Sequence, residues 1–168
     1  MPTSADTIVA LQQMQELATV EYTVQKVVKA SDDKTWYKYG DRKILITCEA
    51  KVKAGIDFSA LDTRYVSISG KEISIQMPSA KIISVQLPPE KINVAYQETG
   101  FFRTRFSVAE QNELMKQAET QVIVQANKLG ILKDAENNTR QWLTGYLRNL
   151  GYEEIDLQFG SPIQLNPR

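Results

Sequence analysis

The stretch KILITCEAKVKAGIDFSALD, Lys43 to Asp62, brings Cys48, Glu49, Asp57 and Asp62 close together in sequence. A thiol and carboxylates are the raw material of nucleophilic and acid–base catalysis. The chain contains no histidine, which removes the Ser-His-Asp and Cys-His systems and every histidine-containing metal site. Cys48 is left without its usual activator, so carboxylate, lysine, tyrosine or hydroxyl chemistry remains. Glycoside hydrolysis by a carboxyl pair needs the two groups roughly 5–10 Å apart. Glu49, Asp57, Asp62 and Glu98 are the candidates, but nothing in their spacing makes them converge. No catalytic, cofactor-binding or metal-ligating residue is assigned.

Two other sets have binding chemistry. Phe101, Phe102, Arg103 and Arg105 form a compact aromatic and cationic segment, the residue types that dominate protein–protein hot spots. Trp36, Trp142 and Tyr146 could line a pocket between sheet and helices for a small apolar ligand or lipid. In both sets the structural alternative is simple core filling, with the arginines solvated.

Charge narrows the partners further. Lysine plus arginine and aspartate plus glutamate each number 20 over 168 residues, and the balance persists locally, with eight of each sign in residues 1–60 and in 101–168. No basic stripe is present to neutralise phosphates, so nucleic acid is not expected. A single cysteine cannot form an intrachain disulfide, which leaves the redox compartment open. No apolar run reaches the roughly 18 residues needed to span a bilayer, and the start, MPTSADTIVALQQMQEL, lacks the pattern of a secretory signal.

These residues must be placed by local structure. Residues 4–18 predict a short amphipathic helix capped by Ser4. From Thr19 the period becomes two, giving a strand to about Lys29 with Val20, Tyr22 and Val24 on one side. A second, aromatic segment, TWYKYGD, follows. In the opening stretch Ile44, Ile46, Cys48, Ala50, Val52 and Ala54 share one parity of a long half-buried strand, where a thiol behaves as a small hydrophobe. Gly55 is expected to break the strand by adopting angles closed to other residues, with Asp57 starting a local cap and Ile56, Phe58 and Leu61 tucked inward.

RYVSISGKEISIQM predicts a hairpin with a Gly70-Lys71 type II′ loop, pairing Ile68 with Ile73 and Val66 with Ile75. Pro78 ends that strand or marks an edge bulge. A further strand follows, with Ile83, Val85 and Leu87 on one parity, and INVAYQ supplies another. The capping box Ser107 to Glu110 opens a helix over about 107–129 whose stripe is Met115, Ala118, Val122, Ala126 and Leu129. Gly130 stops it. A second long helix covers about 132–150, carrying Ala135, Thr139, Trp142, Leu143, Tyr146 and Leu147. YEEIDLQF is a last strand that returns to the sheet. The order is α+β: a mostly antiparallel sheet, a short N-terminal helix, two consecutive long helices packed on the sheet, and a C-terminal strand. The expectation is a single domain over 1–168, with the helix of 1–18 in a juxtamembrane position and a globular core over 19–168.

The motifs LATVEYTVQKVV, KILITCEAKVKAGIDFS, ISIQMPSAKIISVQL, ETGFF and NKLGILKDAENNTRQWLTGYLRNLGYEEIDLQF, in that order, resemble a bacterial family known as domain of unknown function 4230. A looser topological likeness links the strand–helix–strand order to band-7/stomatin-like domains. The first resemblance implies a domain preceded by a membrane helix, hence association with the cell envelope through an anchor outside this chain. It carries over no catalytic residue. The expected function is non-enzymatic, an interaction or scaffolding domain with a protein partner or self-association. The alternatives are a small-molecule or lipid-binding domain and a carboxylate-based hydrolase.

Overall fold

The computed structural model describes residues 3–13, 19–29, 43–98 and 108–160. It is α+β, with α1 (Ser4–Gln13), β1 (Val20–Lys29), β2 (Lys43–Gly55), β3 (Val66–Ser69), β4 (Glu72–Met77), β5 (Lys81–Gln86), β6 (Ile92–Glu98), α2 (Val108–Lys128), α3 (Ile131–Asn149) and β7 (Glu154–Phe159) in chain order. The strands form two sheets. One runs β1-β2-β5 with β6 also paired to β2, and the other runs β3-β4-β7. The chain divides into two compact units, one comprising residues 1–20, 53–83 and 130–168, the other 21–52 and 84–129.

In the first unit the β3–β4 hairpin has the expected register, Val66 opposite Ile75 and Ile68 opposite Ile73. Gly70 has φ 59° and no non-glycine residue has a positive φ among the described residues, the combination a type II′ turn requires. β7 joins β4 in parallel, Ile73 with Ile155 and Ile75 with Leu157. Alternation then sorts the sheet into two faces. Val66, Ile73, Ile75, Met77 and Leu157 are buried together with Ile8 and Leu11 of α1 and Ile131, Ala135, Leu143 and Leu147 of α3.

α3 ends as its sequence requires. Gly151 has φ 100°, and the Gly151 and Tyr152 N–H groups donate to the Arg148 and Leu147 carbonyls at 2.9 and 3.2 Å. This is a Schellman closure. It turns Tyr152 inward, where it is among the largest fully buried side chains.

In the second unit β2 and β6 pair antiparallel from Lys43 opposite Glu98 to Cys48 opposite Ile92, with a register shift between Leu45 and Ile46. Val24, Val28, Ile46, Cys48, Ala50 and Val52 are buried, as are Leu114, Ala118, Val122 and Ala126 of α2.

Four sequence expectations change. The cap of α1 belongs to Thr3, whose hydroxyl accepts from the Asp6 N–H while the Asp6 carboxylate accepts from the Thr3 N–H. Both Thr3 and Ser4 are capping types, and the reciprocal Asp6 bond selects the first. Gly55 is not among the positive-φ glycines, so the break after β2 is made by the Asp57 cap and not by a left-handed residue. Among the described side chains the stripe of α2 runs from Leu114, and Leu129 is 56% exposed, because strict four-residue steps from Leu114 end at Ala126. Ile83 is 45% exposed; β5 carries isoleucine at adjacent positions, and of the two Ile82 is the half-buried one.

Candidate functional site

Cys48 lies on the buried side of β2 at 3% exposure. Its Sγ donates to the Lys26 carbonyl at 3.6 Å, and burial pushes the thiol pKa up. A protonated, enclosed thiol is a poor nucleophile, so Cys48 is packing.

The carboxylates of the same stretch are committed to local structure. Asp57 caps a 3₁₀ turn over Phe58–Ala60, accepting from the Ser59 N–H at 3.0 Å and from the Lys81 ammonium at 2.8 Å. The Lys81 and Ser59 bonds hold its pKa at about 2. Asp62 caps the next turn, Thr63–Tyr65, and its pKa is lowered by the Arg64 guanidinium and N–H. Glu49 accepts from Gln25 Nε2 at 3.0 Å and stands 3.5 Å from the Lys91 ammonium. Both lower its pKa, Gln25 more. All three are held as carboxylates, whereas a general acid needs its pKa raised. The side chain of Glu98 lies outside the described residues.

Glu49 is the centre of a polar row across three elements. Gln25 on β1, Glu49 on β2 and Lys91 just ahead of β6 cross the open face of the second unit's sheet, beside the register pair Thr47 and Asn93. These residues and Val27 line an open groove of ≈ 420 Å³. Lys26 lines it as well, and the ion pair of Lys51 with Glu21 at 3.6 Å extends the polar row.

The open face of β3-β4-β7 differs. Its register sets Ser69, Glu72 and Glu154 in one row and Ser67, Ser74 and Asp156 in the next. Ser74 donates to the Asp156 carboxylate at 3.3 Å and Gln158 to the same carboxylate at 2.9 Å. The serines floor a shallow groove of ≈ 270 Å³ lined also by Glu72, Glu154 and Asp156. Ion pairing in this region falls at the rim, where Lys71 pairs with Glu153.

The two predicted binding sets meet the structure only in part. Phe101, Phe102, Arg103 and Arg105 lie outside the described residues, as does Trp36. Trp142 and Tyr146 share one side of α3, their rings stacked at 5.7 Å between centroids and 10° between planes. Both are half-buried. Among the described residues, no group of three or more aspartate, glutamate or cysteine side chains could hold a metal ion. Sequence reasoning missed the two serine and carboxylate rows, because the pairing of β4 with β7 creates them.

The family model described as "Protein of unknown function (DUF4230)" matches residues 10–157. The chain belongs to the DUF4230 family. The match runs from within α1 to within β7 and takes in every element between them, so both open sheet faces fall in the DUF4230 domain. No curated protein and no solved structure matches the chain.

Proposed function

We propose that this DUF4230 domain is a non-catalytic interaction domain of an envelope-associated protein. The observation that carries this reading is the open face of β3-β4-β7, where Ser67, Ser69, Glu72, Ser74, Glu154 and Asp156 are set in rows by strand register. A shallow polar surface on a rigid sheet suits docking better than the enclosure of a reacting substrate. The carboxylates whose environments are best defined, Asp57, Asp62 and Glu49, are held ionised by structural partners, which agrees with a scaffold role. The tether expected from the family resemblance would lie ahead of α1, and no helix among the described residues is long and apolar enough to cross a membrane.

The test is site-specific photo-crosslinking in cells with the full-length protein. A photoreactive residue at Ser67 or Ser74 is expected to give a discrete adduct, and one at exposed Lys133 of α3 is the reference. Adducts no more abundant at the serines than at Lys133 would overturn the reading. Fractionation of the same cells tests the envelope placement, which requires the protein to sediment with membranes.

A second reading rests on the half-buried Trp142 and Tyr146 stack, which offers an apolar wall to a small ligand or lipid. A lipid extracted with the wild-type protein and absent from the Trp142→Ala, Tyr146→Ala variant would support it.

A further inference from the structure

Among the described residues β7 is an edge strand, and its outer side follows from its backbone bonds. The Glu154 N–H donates to the Lys71 carbonyl at 3.3 Å and the Gly160 N–H to the Met77 carbonyl at 3.1 Å, with the intervening residues in step along β4. Backbone groups alternate sides along a strand. Residues 154, 156, 158 and 160 therefore point their amides at β4, while the N–H and C=O of Ile155, Leu157 and Phe159 point away. Arg140 shows that direction directly: its Nη1 donates to the Leu157 carbonyl at 2.7 Å, and its guanidinium lies 4.8 Å from the Phe159 ring centroid. Among the described residues no strand pairs with β7 on this side.

We propose that the outer edge of β7 is a self-pairing edge, at which two copies of this chain join β7 to β7 antiparallel about Leu157, with Arg140 as the gate. The partner is argued from register. Centred on Leu157, the pairing sets Leu157 opposite Leu157, Ile155 opposite Phe159 and Asp156 opposite Gln158. Apolar meets apolar on the inner face, and amide meets carboxylate on the open face, the same bond that Gln158 already makes to Asp156 within one strand. A shift of centre to Ile155 would set Glu154 against Asp156, a like-charge pair that opposes association. The outward backbone groups are also those a two-fold antiparallel pair needs: Ile155, Leu157 and Phe159 exchange bonds with Phe159, Leu157 and Ile155. The product is one continuous sheet, β3-β4-β7 followed by β7-β4-β3 of the second copy. An open edge carries the hazard of unselective pairing, and a charged side chain across it is a recognised control. Arg140 supplies that control, since the Leu157 carbonyl must leave the guanidinium before it accepts from another chain.

This rests on the interaction-domain reading and adds one partner, a second copy, at the edge of the same sheet. Sedimentation equilibrium of the purified full chain over a wide concentration range tests it. The wild type is expected to show a concentration-dependent monomer–dimer equilibrium. Arg140→Met should tighten it roughly tenfold, by removing a charge-assisted bond that competes with pairing. Asp156→Lys with Gln158→Lys should abolish the dimer while the chain stays folded by circular dichroism, because both side chains are exposed and the changes oppose lysine to lysine. Ile155→Pro should also abolish the dimer by removing an outward N–H, with a loss of stability from the half-buried isoleucine side chain. Wild type and Arg140→Met that both remain monomeric, or a dimer indifferent to the lysine pair, would overturn the proposal. If the chain is monomeric while Ser74 still gives a photo-adduct, only the self-pairing edge fails. If that adduct is missing too, the interaction reading fails with it.

Discussion

The Lys81 ammonium stands 2.8 Å from a carboxylate oxygen of Asp57, joining the start of β5 to the turn that follows β2. Asp57 also caps that turn through the Ser59 N–H, so one side chain organises the exit of the longest strand. Its folded pKa of about 2 lies below the ordinary 3.8. At neutral pH both folded and unfolded chains carry the carboxylate, and the bonds to Lys81 and Ser59 stabilise the fold. As pH falls the unfolded chain binds the proton first, so this contribution declines from about pH 4 and is gone near pH 2. Asp57→Ala should cost about 1–2 kcal/mol at pH 7, mostly as a lost cap. Chemical denaturation at pH 7, 4 and 2 should show the difference from wild type shrinking as the pH drops; a constant difference would disprove the assignment.

Cys48 should be protected until the chain unfolds. Its burial and raised pKa keep the thiolate scarce and out of reach at neutral pH. Alkylation by iodoacetamide is expected to be slow in the native protein and rapid in denaturant. Cys48→Ala should cost about 1 kcal/mol, a small packing loss. Fast alkylation of native protein would require the thiol to be open to solvent.

Gly70 tests the hairpin turn by backbone conformation alone. A Cβ built there meets nothing within 4 Å, yet φ is 59°. Gly70→Ala should therefore lower stability by about 1–2 kcal/mol through strain and not through a clash. Lys71→Ala, at the neighbouring position where φ is not positive, should change it by less than about 1 kcal/mol, since the Lys71 and Glu153 pair is exposed. Equal melting temperatures for Gly70→Ala and Lys71→Ala would contradict the turn type.

Gln117 on α2 buries its side-chain Nε2 with no hydrogen-bond partner among the described residues. Such a donor costs the fold its desolvation without return. Gln117→Leu, of similar volume and good helix propensity, should stabilise the protein by about 1 kcal/mol, read as a higher denaturant midpoint with an unchanged slope. A loss of stability would show that the amide has a partner after all.

The elements that were legible in the sequence are those whose partners lie nearby. Val66 to Met77 contains both strands of its hairpin and its turn, so alternation alone fixed Ile68 opposite Ile73, as observed. The parity of β2 likewise placed Cys48, Ala50, Val52 and Ala54 inside, and Gly130, at φ 89°, ends its helix as composition indicated. Legibility failed where two residues of one type competed, as with Thr3 and Ser4 for the cap of α1 or Ile82 and Ile83 for the inner side of β5. Gly55 shows a different failure. A glycine at a strand end suggested an unusual φ, whereas the Asp57 bonds turn the chain with ordinary angles.

The candidate surfaces divide in the same way. The alternation of Glu154, Asp156 and Gln158 against Ile155, Leu157 and Phe159 is written in the chain, and so is the amphipathic face of α3. That Ser74 stands beside Asp156, 82 residues away, is not. A strand's side-chain period is a property of its own covalent geometry, so sequence determines which residues share a face. The neighbour of that strand and its direction depend on where the chain returns after β5, β6 and two helices, and hence on the burial of distant apolar faces. Only tertiary structure could place β7 parallel to β4, set serines and carboxylates in rows across their open face, and bring Arg140 to the Leu157 carbonyl.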